Sequence, residues 1–344
     1  MWRCWASTGL VGLACALGCA EASAAEDGGA QIWFAPNPSL SDGPTSNGFL
    51  RLFQAQAPWK EAAARTRVFQ LYSAYVLGVP QDLLDRIVQD LQRRHIALAV
   101  EAGALNIDFK PPPPCGGRGL VEGYATPAVA REVSRKIQAA GGTIDFLAMD
   151  EPLWYGHFFA GYPGKQPGCQ SPVSQLLAQA RPTLEEYRRH FPGIRVGDIE
   201  PANLALRSGW QQALREWADG IRLALGQPLA FVHLDVPRAV AGSTAATRQF
   251  ATAVAAFQRE NLVGALGLIY DGTPQDPNNA AWLASARRLM RELEVDQGLA
   301  PDTAILQSWH RFPDHMLPET DPQAFTSLIL YYAGGRFREA GDDR

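Results

Sequence analysis

Short apolar runs that alternate with stretches of helical periodicity constrain this chain more than any other feature. The runs cover residues 31–36, 67–72, 96–102, 144–149, 194–199, 229–234, 265–270 and 303–308. Most are continuously apolar rather than alternating, as strands buried on both faces require. Pro80 opens a helical pattern with Leu83, Leu84, Ile87, Val88 and Leu91 at helical spacing, and proline suits a first helical position. Similar patterns fill 126–140, 174–190, 208–225, 244–261, 278–293 and 321–332. Strands alternating with helices predict βαβ units and a parallel sheet. Eight such runs with matching helices predict a closed (β/α)8 TIM barrel. An open doubly wound sheet is the alternative, yet no G-x-G-x-x-G or Walker-type phosphate loop follows any strand.

A barrel of this kind needs roughly 250 residues and carries the surplus in its loops, so 344 residues suit one decorated barrel. At 47% hydrophobic and 19% charged, the chain has the composition of an ordered globular protein. No internal repeat or low-complexity linker divides it, and a single domain over residues 26–344 is expected. The first 25 residues differ from the rest. A basic start at Arg3, an uncharged apolar stretch over 9–19 and the small residues Ala22-Ser23-Ala24 predict a cleaved signal peptide over residues 1–25, hence a secreted or periplasmic protein. A lipid anchor at Cys19 is the weaker reading, because the leucine usual three residues upstream is missing.

The remainder of the chain has no uncharged apolar run long enough to span a bilayer. A net charge of −4 without a basic cluster argues against a nucleic-acid partner. Once the signal is removed, Cys115 and Cys169 remain, in the loops after the third and fourth strands. In an oxidising compartment they predict one disulfide, with two free thiols as the alternative.

Chemistry in such barrels sits at the C-terminal ends of the strands, and these ends are acidic. The third strand delivers Glu101, the fourth Asp150 and Glu151, and the fifth Asp198 and Glu200. The sixth delivers Asp235 and the seventh Asp271. Any one of them could cap the following helix instead. Isolated carboxylates are costly to bury, however, and a ring of them round one mouth predicts use. Aromatic residues lie at the same ends: Trp33, Tyr72, Tyr75, Trp154, Tyr155, Tyr270 and Trp309. Flat rings with polar tips suit sugar faces, although a large residue at a strand end can also close the barrel core. His157 is a candidate partner for a sugar hydroxyl.

The segment Phe146-Leu-Ala-Met-Asp-Glu-Pro-Leu-Trp-Tyr-Gly-His157 resembles the fourth strand of the retaining glycoside hydrolases of clan A, where Asn-Glu-Pro carries the acid/base glutamate. The resemblance implies a TIM-barrel glycosidase with Glu151 as general acid/base and Asp150 in the sugar-contacting place of the asparagine. Trp309, in Gln-Ser-Trp-His310, is similar to the eighth-strand tryptophan of those sugar sites. Two departures stand out. An aspartate beside Glu151 adds charge that can raise its pKa. The seventh strand ends Tyr270-Asp271-Gly272, without the nucleophilic glutamate of that clan.

By position alone, Asp150, Glu200 and Asp271 also match the acidic strand ends of amylase-like barrels. The expected activity is therefore cleavage of a poly- or oligosaccharide by a monomer without cofactor. Glu151 serves as acid, and Glu200 or Asp271 as nucleophile or base. One alternative is a degenerate barrel that only binds polysaccharide. Another is a divalent-metal enzyme using Glu101, Asp198, Asp235 and His233. The sequence contains no H-E-x-x-H and no first-strand H-x-H to support a metal.

Overall fold

The apolar runs are strands, and they close on themselves. In the computed structural model, which describes residues 29–38, 48–102, 126–161, 168 and 170–338, the strands are β1 (Gln31–Ala35), β2 (Thr66–Tyr72), β3 (Ala97–Ala102), β4 (Phe146–Asp150), β5 (Arg195–Pro201), β6 (Val232–Asp235), β7 (Leu266–Tyr270) and β8 (Thr303–Gln307). Each pairs in parallel with its sequence neighbour, and β1 pairs with β8, so the sheet is a closed barrel. The (β/α)8 expectation holds. The signal peptide, Cys115, Cys169 and the loop between β3 and the next helix lie outside the described residues.

Helices form the outer layer: α1 (Lys60–Arg65), α2 (Ser73–Gly78), α3 (Gln81–Arg93), α4 (Pro127–Ala139), α5 (Val173–His190), α6 (Trp210–Leu225), α7 (Ser243–Arg259), α8 (Asn279–Met290) and α9 (Phe325–Ala333). Their ends follow local chemistry. Thr126 accepts a hydrogen bond from the Val129 N–H at 3.3 Å, with Pro127 opening α4. Asn278 caps α8 through the Ala281 N–H at 2.9 Å. Gly226, at φ +69°, stops α6 in the left-handed conformation that glycine adopts without strain.

Two packed regions result. Strand side chains facing outward join the helices in one large core. Side chains facing inward form a second, smaller cluster of Trp33, Ala35, Val68, Ala99, Phe146, Ala148, Ile199, Phe231, Ile269 and Ile305. Its centre is Trp33, 1% exposed, with the rings of Phe146, Phe231 and His233 at 4.8, 5.0 and 4.8 Å. Glycines make room for this plug. A Cβ on Gly197 would meet the Phe231 ring at 2.4 Å, and one on Gly267 would meet His233 Cδ2 at 2.3 Å. The inner cluster therefore fixes which residue of each strand points inward, and that parity decides which carboxylates reach the mouth.

Candidate active site

Counting alternately from the inner cluster, the last inward positions on the strands are Tyr72, Glu101, Asp150, Asp235 and Gln307, with Asp271 directly after β7. Gln70 lies one step deeper on β2. These side chains surround the C-terminal mouth. Glu101 is 6% exposed and accepts hydrogen bonds from Gln70 Nε2 at 2.6 Å and Gln307 Nε2 at 2.8 Å, both on one oxygen. The Tyr72 hydroxyl donates to the Ser308 carbonyl at 3.0 Å. Burial raises the Tyr72 hydroxyl well above its ordinary pKa, and the charges of Glu101 and Asp150 add to the effect.

On the other side of the mouth Asp235 and Asp271 are neighbours. Burial pushes Asp235 up to about 8, with the Asp271 charge as the next cause. Asp271 is also raised by burial, while His310 and Arg238 pull it down. His310 Nε2 lies 3.7 Å from one Asp271 oxygen and Arg238 Nη2 lies 3.8 Å from the other. Arg238 Nη2 also donates to the Asp271 backbone carbonyl at 3.0 Å, which pins the loop after β6 to the end of β7. Neither Arg238 nor His310 was singled out from the sequence as a site residue. His310 follows Trp309 directly, but nothing in the sequence of the β6 loop signals Arg238.

Glu151 follows the last residue of β4 with φ +52°, a conformation that side chains with a Cβ rarely adopt. Its N–H donates to the Ile199 carbonyl at 2.9 Å, and its carbonyl receives the Tyr155 N–H at 2.9 Å. The chain thus turns sharply out of the barrel into a wide helical turn over Trp154–Phe158. Strain at the residue expected to act as acid, on the rim beside inward-facing Asp150, is typical of functional positions.

Asp198 and Glu200 face the other way. Ile199 between them belongs to the inner cluster, so both flanking side chains point to the helix layer. Glu200 is 0% exposed and accepts from the backbone N–H groups of Leu153 at 2.7 Å and Trp154 at 3.1 Å. Burial pushes it up to about 8 against those two hydrogen bonds. Asp198 lies near Trp217 of α6; burial and the Glu200 charge raise it well above the usual range. These two carboxylates hold the wall of the site from behind.

The aromatic candidates divide by the same parity. Trp33 is packed in the barrel interior, beneath the mouth. Tyr270 faces outward and donates to Glu294 Oε1 at 2.5 Å. Trp309, 40% exposed, stands at the mouth just after β8. Trp154 lies under the Arg207 guanidinium at 4.9 Å, and Tyr155 packs on Phe159 at 5.3 Å. His157 Nδ1 is 2.7 Å from the Ser171 carbonyl, tying the turn to the start of α5.

His233 stacks on Phe231 at 4.0 Å, and burial depresses it to about 3. It is a neutral core group. With Asp198 turned outward, the four-residue metal set does not assemble, and no cluster of three metal-ligating side chains occurs among the described residues.

No known family model matches the chain, and no curated protein does. Solved structures do resemble it. A glycoside hydrolase, GH5_18 from Streptomyces cattleya in complex with GlcNAc, aligns with TM-score 0.51 and 15% identity over 91% of this chain and 81% of that one. A variant of that enzyme in complex with Manβ1-4GlcNAc aligns with TM-score 0.52 and 14% identity, over 91% and 82%. A double mutant of the Cellulomonas fimi endo-β-1,4-mannanase aligns with TM-score 0.54 and 13% identity, over 90% and 71%. At these identities the likeness is one of fold: the barrel is similar to those of clan A glycoside hydrolases, the family that the Asp150-Glu151-Pro152 segment resembles.

Proposed function

We propose that this protein is a glycoside hydrolase in which Glu151 is the general acid/base and Asp271 the second carboxylate. The observation that carries the reading is the inward-facing Asp271 at the end of β7, flanked by Arg238 and His310, while Glu200 is turned into the wall. Strands β4 and β7 stand three places apart round the closed barrel, so their ends border the mouth from different sides.

Glycoside hydrolysis needs one carboxyl that gives a proton to the leaving oxygen and one that stays ionised toward the anomeric carbon. A hydrogen bond from His310 and the Arg238 guanidinium favour the ionised form, which suits Asp271 to the second role. Glu151, beside the charge of Asp150, suits the first. Trp309 offers an exposed ring against a sugar face. The amino-terminal segment supports an exported enzyme and hence an extracellular or periplasmic glycan.

The test is release of reducing ends from a panel of polysaccharides by the purified protein, alongside Glu151→Gln and Asp271→Asn. Each variant should lose roughly 10²-fold or more in kcat, the scale of a positioned acid or base. Turnover that survives both substitutions overturns the assignment. Saturable binding to one polysaccharide with no turnover would instead mark a sugar-binding barrel, in line with the missing seventh-strand glutamate.

A further inference from the structure

Gln70 and Gln307 indicate the chemistry of the group that the mouth holds. Both point inward, one step above Val68 and Ile305 of the inner cluster, and they are 0% and 3% exposed. Between their strands runs β1, whose inward residue at this level is Ala35, the register partner of Gln307. The two amides converge past it on one oxygen of Glu101.

That convergence uses the amide N–H groups and leaves both amide carbonyl oxygens, Gln70 Oε1 and Gln307 Oε1, buried without a hydrogen-bond partner. Unpaired buried acceptors are costly. The tyrosine nearby does not relieve them, because the Tyr72 hydroxyl gives its hydrogen to Ser308. The floor of the mouth therefore presents two orphaned acceptors beside a carboxylate.

A neutral sugar hydroxyl brings one hydrogen and also seeks a donor for its own lone pairs. An alkylammonium brings three hydrogens and accepts nothing. We propose that Gln70, Glu101 and Gln307 form a subsite for a protonated amino group, so that the glycan taken by this site carries free amino sugars. The cleavage of such a glycan rests on the hydrolase reading above, whereas its capture does not. Asp235 is raised to about 8 mainly by burial, with the charges of Asp271 and Glu101 adding to it, so a cation lodged beside it would shift it towards the ionised form.

The experiment compares matched glycans that differ only in N-acetylation: β-1,4-linked and β-1,6-linked glucosamine oligomers and an α-1,4-linked galactosamine oligomer, each against its fully N-acetylated form. Binding is measured by calorimetry on Glu151→Gln, and cleavage on the unmodified protein, at a pH where the amine is charged. In at least one pair the free amine should bind on the order of tenfold or more tightly, the value of one charge-assisted hydrogen bond. Glu101→Gln and Gln307→Met should erase that preference while keeping the thermal melting transition. Equal or better binding of the N-acetylated forms in every pair overturns the subsite, even if neutral glycans are cleaved and the hydrolase reading stands. A preference that persists in both folded variants overturns its location. Selective capture of the amine form without cleavage upholds the subsite and removes the hydrolase reading.

Discussion

The carboxylate of Glu200 on β5 accepts the backbone N–H of Leu153, at 2.7 Å, and so caps the turn that follows the proposed acid Glu151. A second bond, from Trp154 at 3.1 Å, completes the cap. The first N–H groups of a helical turn have no partner within it, and a side-chain oxygen supplies one. Glu200, expected at the mouth from its place near the end of β5, has its carboxyl behind the turn that carries Glu151, where it would act as a positioning residue.

Glu200→Ala should lower stability by about 1–3 kcal/mol through two buried N–H groups left unpaired, and lower kcat because the turn no longer fixes Glu151. The two N–H groups use different oxygens of Glu200, so Glu200→Gln keeps one acceptor, sets its amide N–H against the other donor, and should fall between Glu200→Ala and the unmodified protein in both. Thermal melts and kcat for the pair decide the matter. An unchanged melting transition with equal, large losses of kcat in both variants would put Glu200 in the reaction instead.

The backbone at Glu151 gives a second expectation. Its φ of +52° is strained for a residue with a Cβ and free of strain for glycine. Glu151→Gly should therefore abolish turnover while stabilising the fold by about 1 kcal/mol relative to Glu151→Ala, which keeps the Cβ. Chemical denaturation of the two variants measures the difference. No difference between them would mean that the turn relaxes, and that strain at this position plays no part in presenting the carboxyl.

The barrel is legible in the sequence because burial on both faces makes each strand an apolar run and amphipathic helices fill the gaps. The same continuity hides which residues point inward. Nothing in the strand sequences separates Tyr270, which faces the helices, from Tyr72, which faces the mouth; only closure of the sheet sets the parity. Asp198 and Glu200 looked equivalent to Asp235 and Asp271 for that reason. Trp33 read as a rim residue, yet glycines at 197 and 267 admit Phe231 and His233 beside it and make it the centre of a plug. Glu151 is singled out in the sequence by the residues around it. Arg238 and Gln70 are not, since their roles come from partners on other strands.

Asp271 carries a prediction about the reaction. His310 and Arg238 oppose the burial that raises its pKa. If Asp271 must be ionised to react, the acid limb of the kcat/KM profile follows it. His310→Leu, which has no donor, removes the larger of the two lowering influences, so the acid limb should move to higher pH, with the alkaline limb in place. A limb that does not move, or moves down, would exclude Asp271 as the group that titrates there.

Stability should depend on pH in a direction set by the buried acids. Glu200 and Asp235 are each raised to about 8, from ordinary values of 4.5 and 3.8. Between those limits the folded chain holds protons that the unfolded chain has lost, so stability is full at low pH and falls as pH rises toward 8. His233 works oppositely: it is depressed to about 3 from 6.5, so its contribution is present above 6.5 and lost below. The surface acids that are lowered, such as Glu132 and Asp321, matter only near and below their ordinary values of 4.5 and 3.8. From pH 6.5 to 8 the buried acids therefore act unopposed, each at a slope of about 1.4 kcal/mol per pH unit. The melting temperature should fall by several degrees across that interval, and Asp235→Asn should flatten the fall by removing one of the titrating groups. A melting temperature that climbs over the same interval would show that these carboxyls are ionised in the folded protein, with cations or solvent supplying what burial withholds.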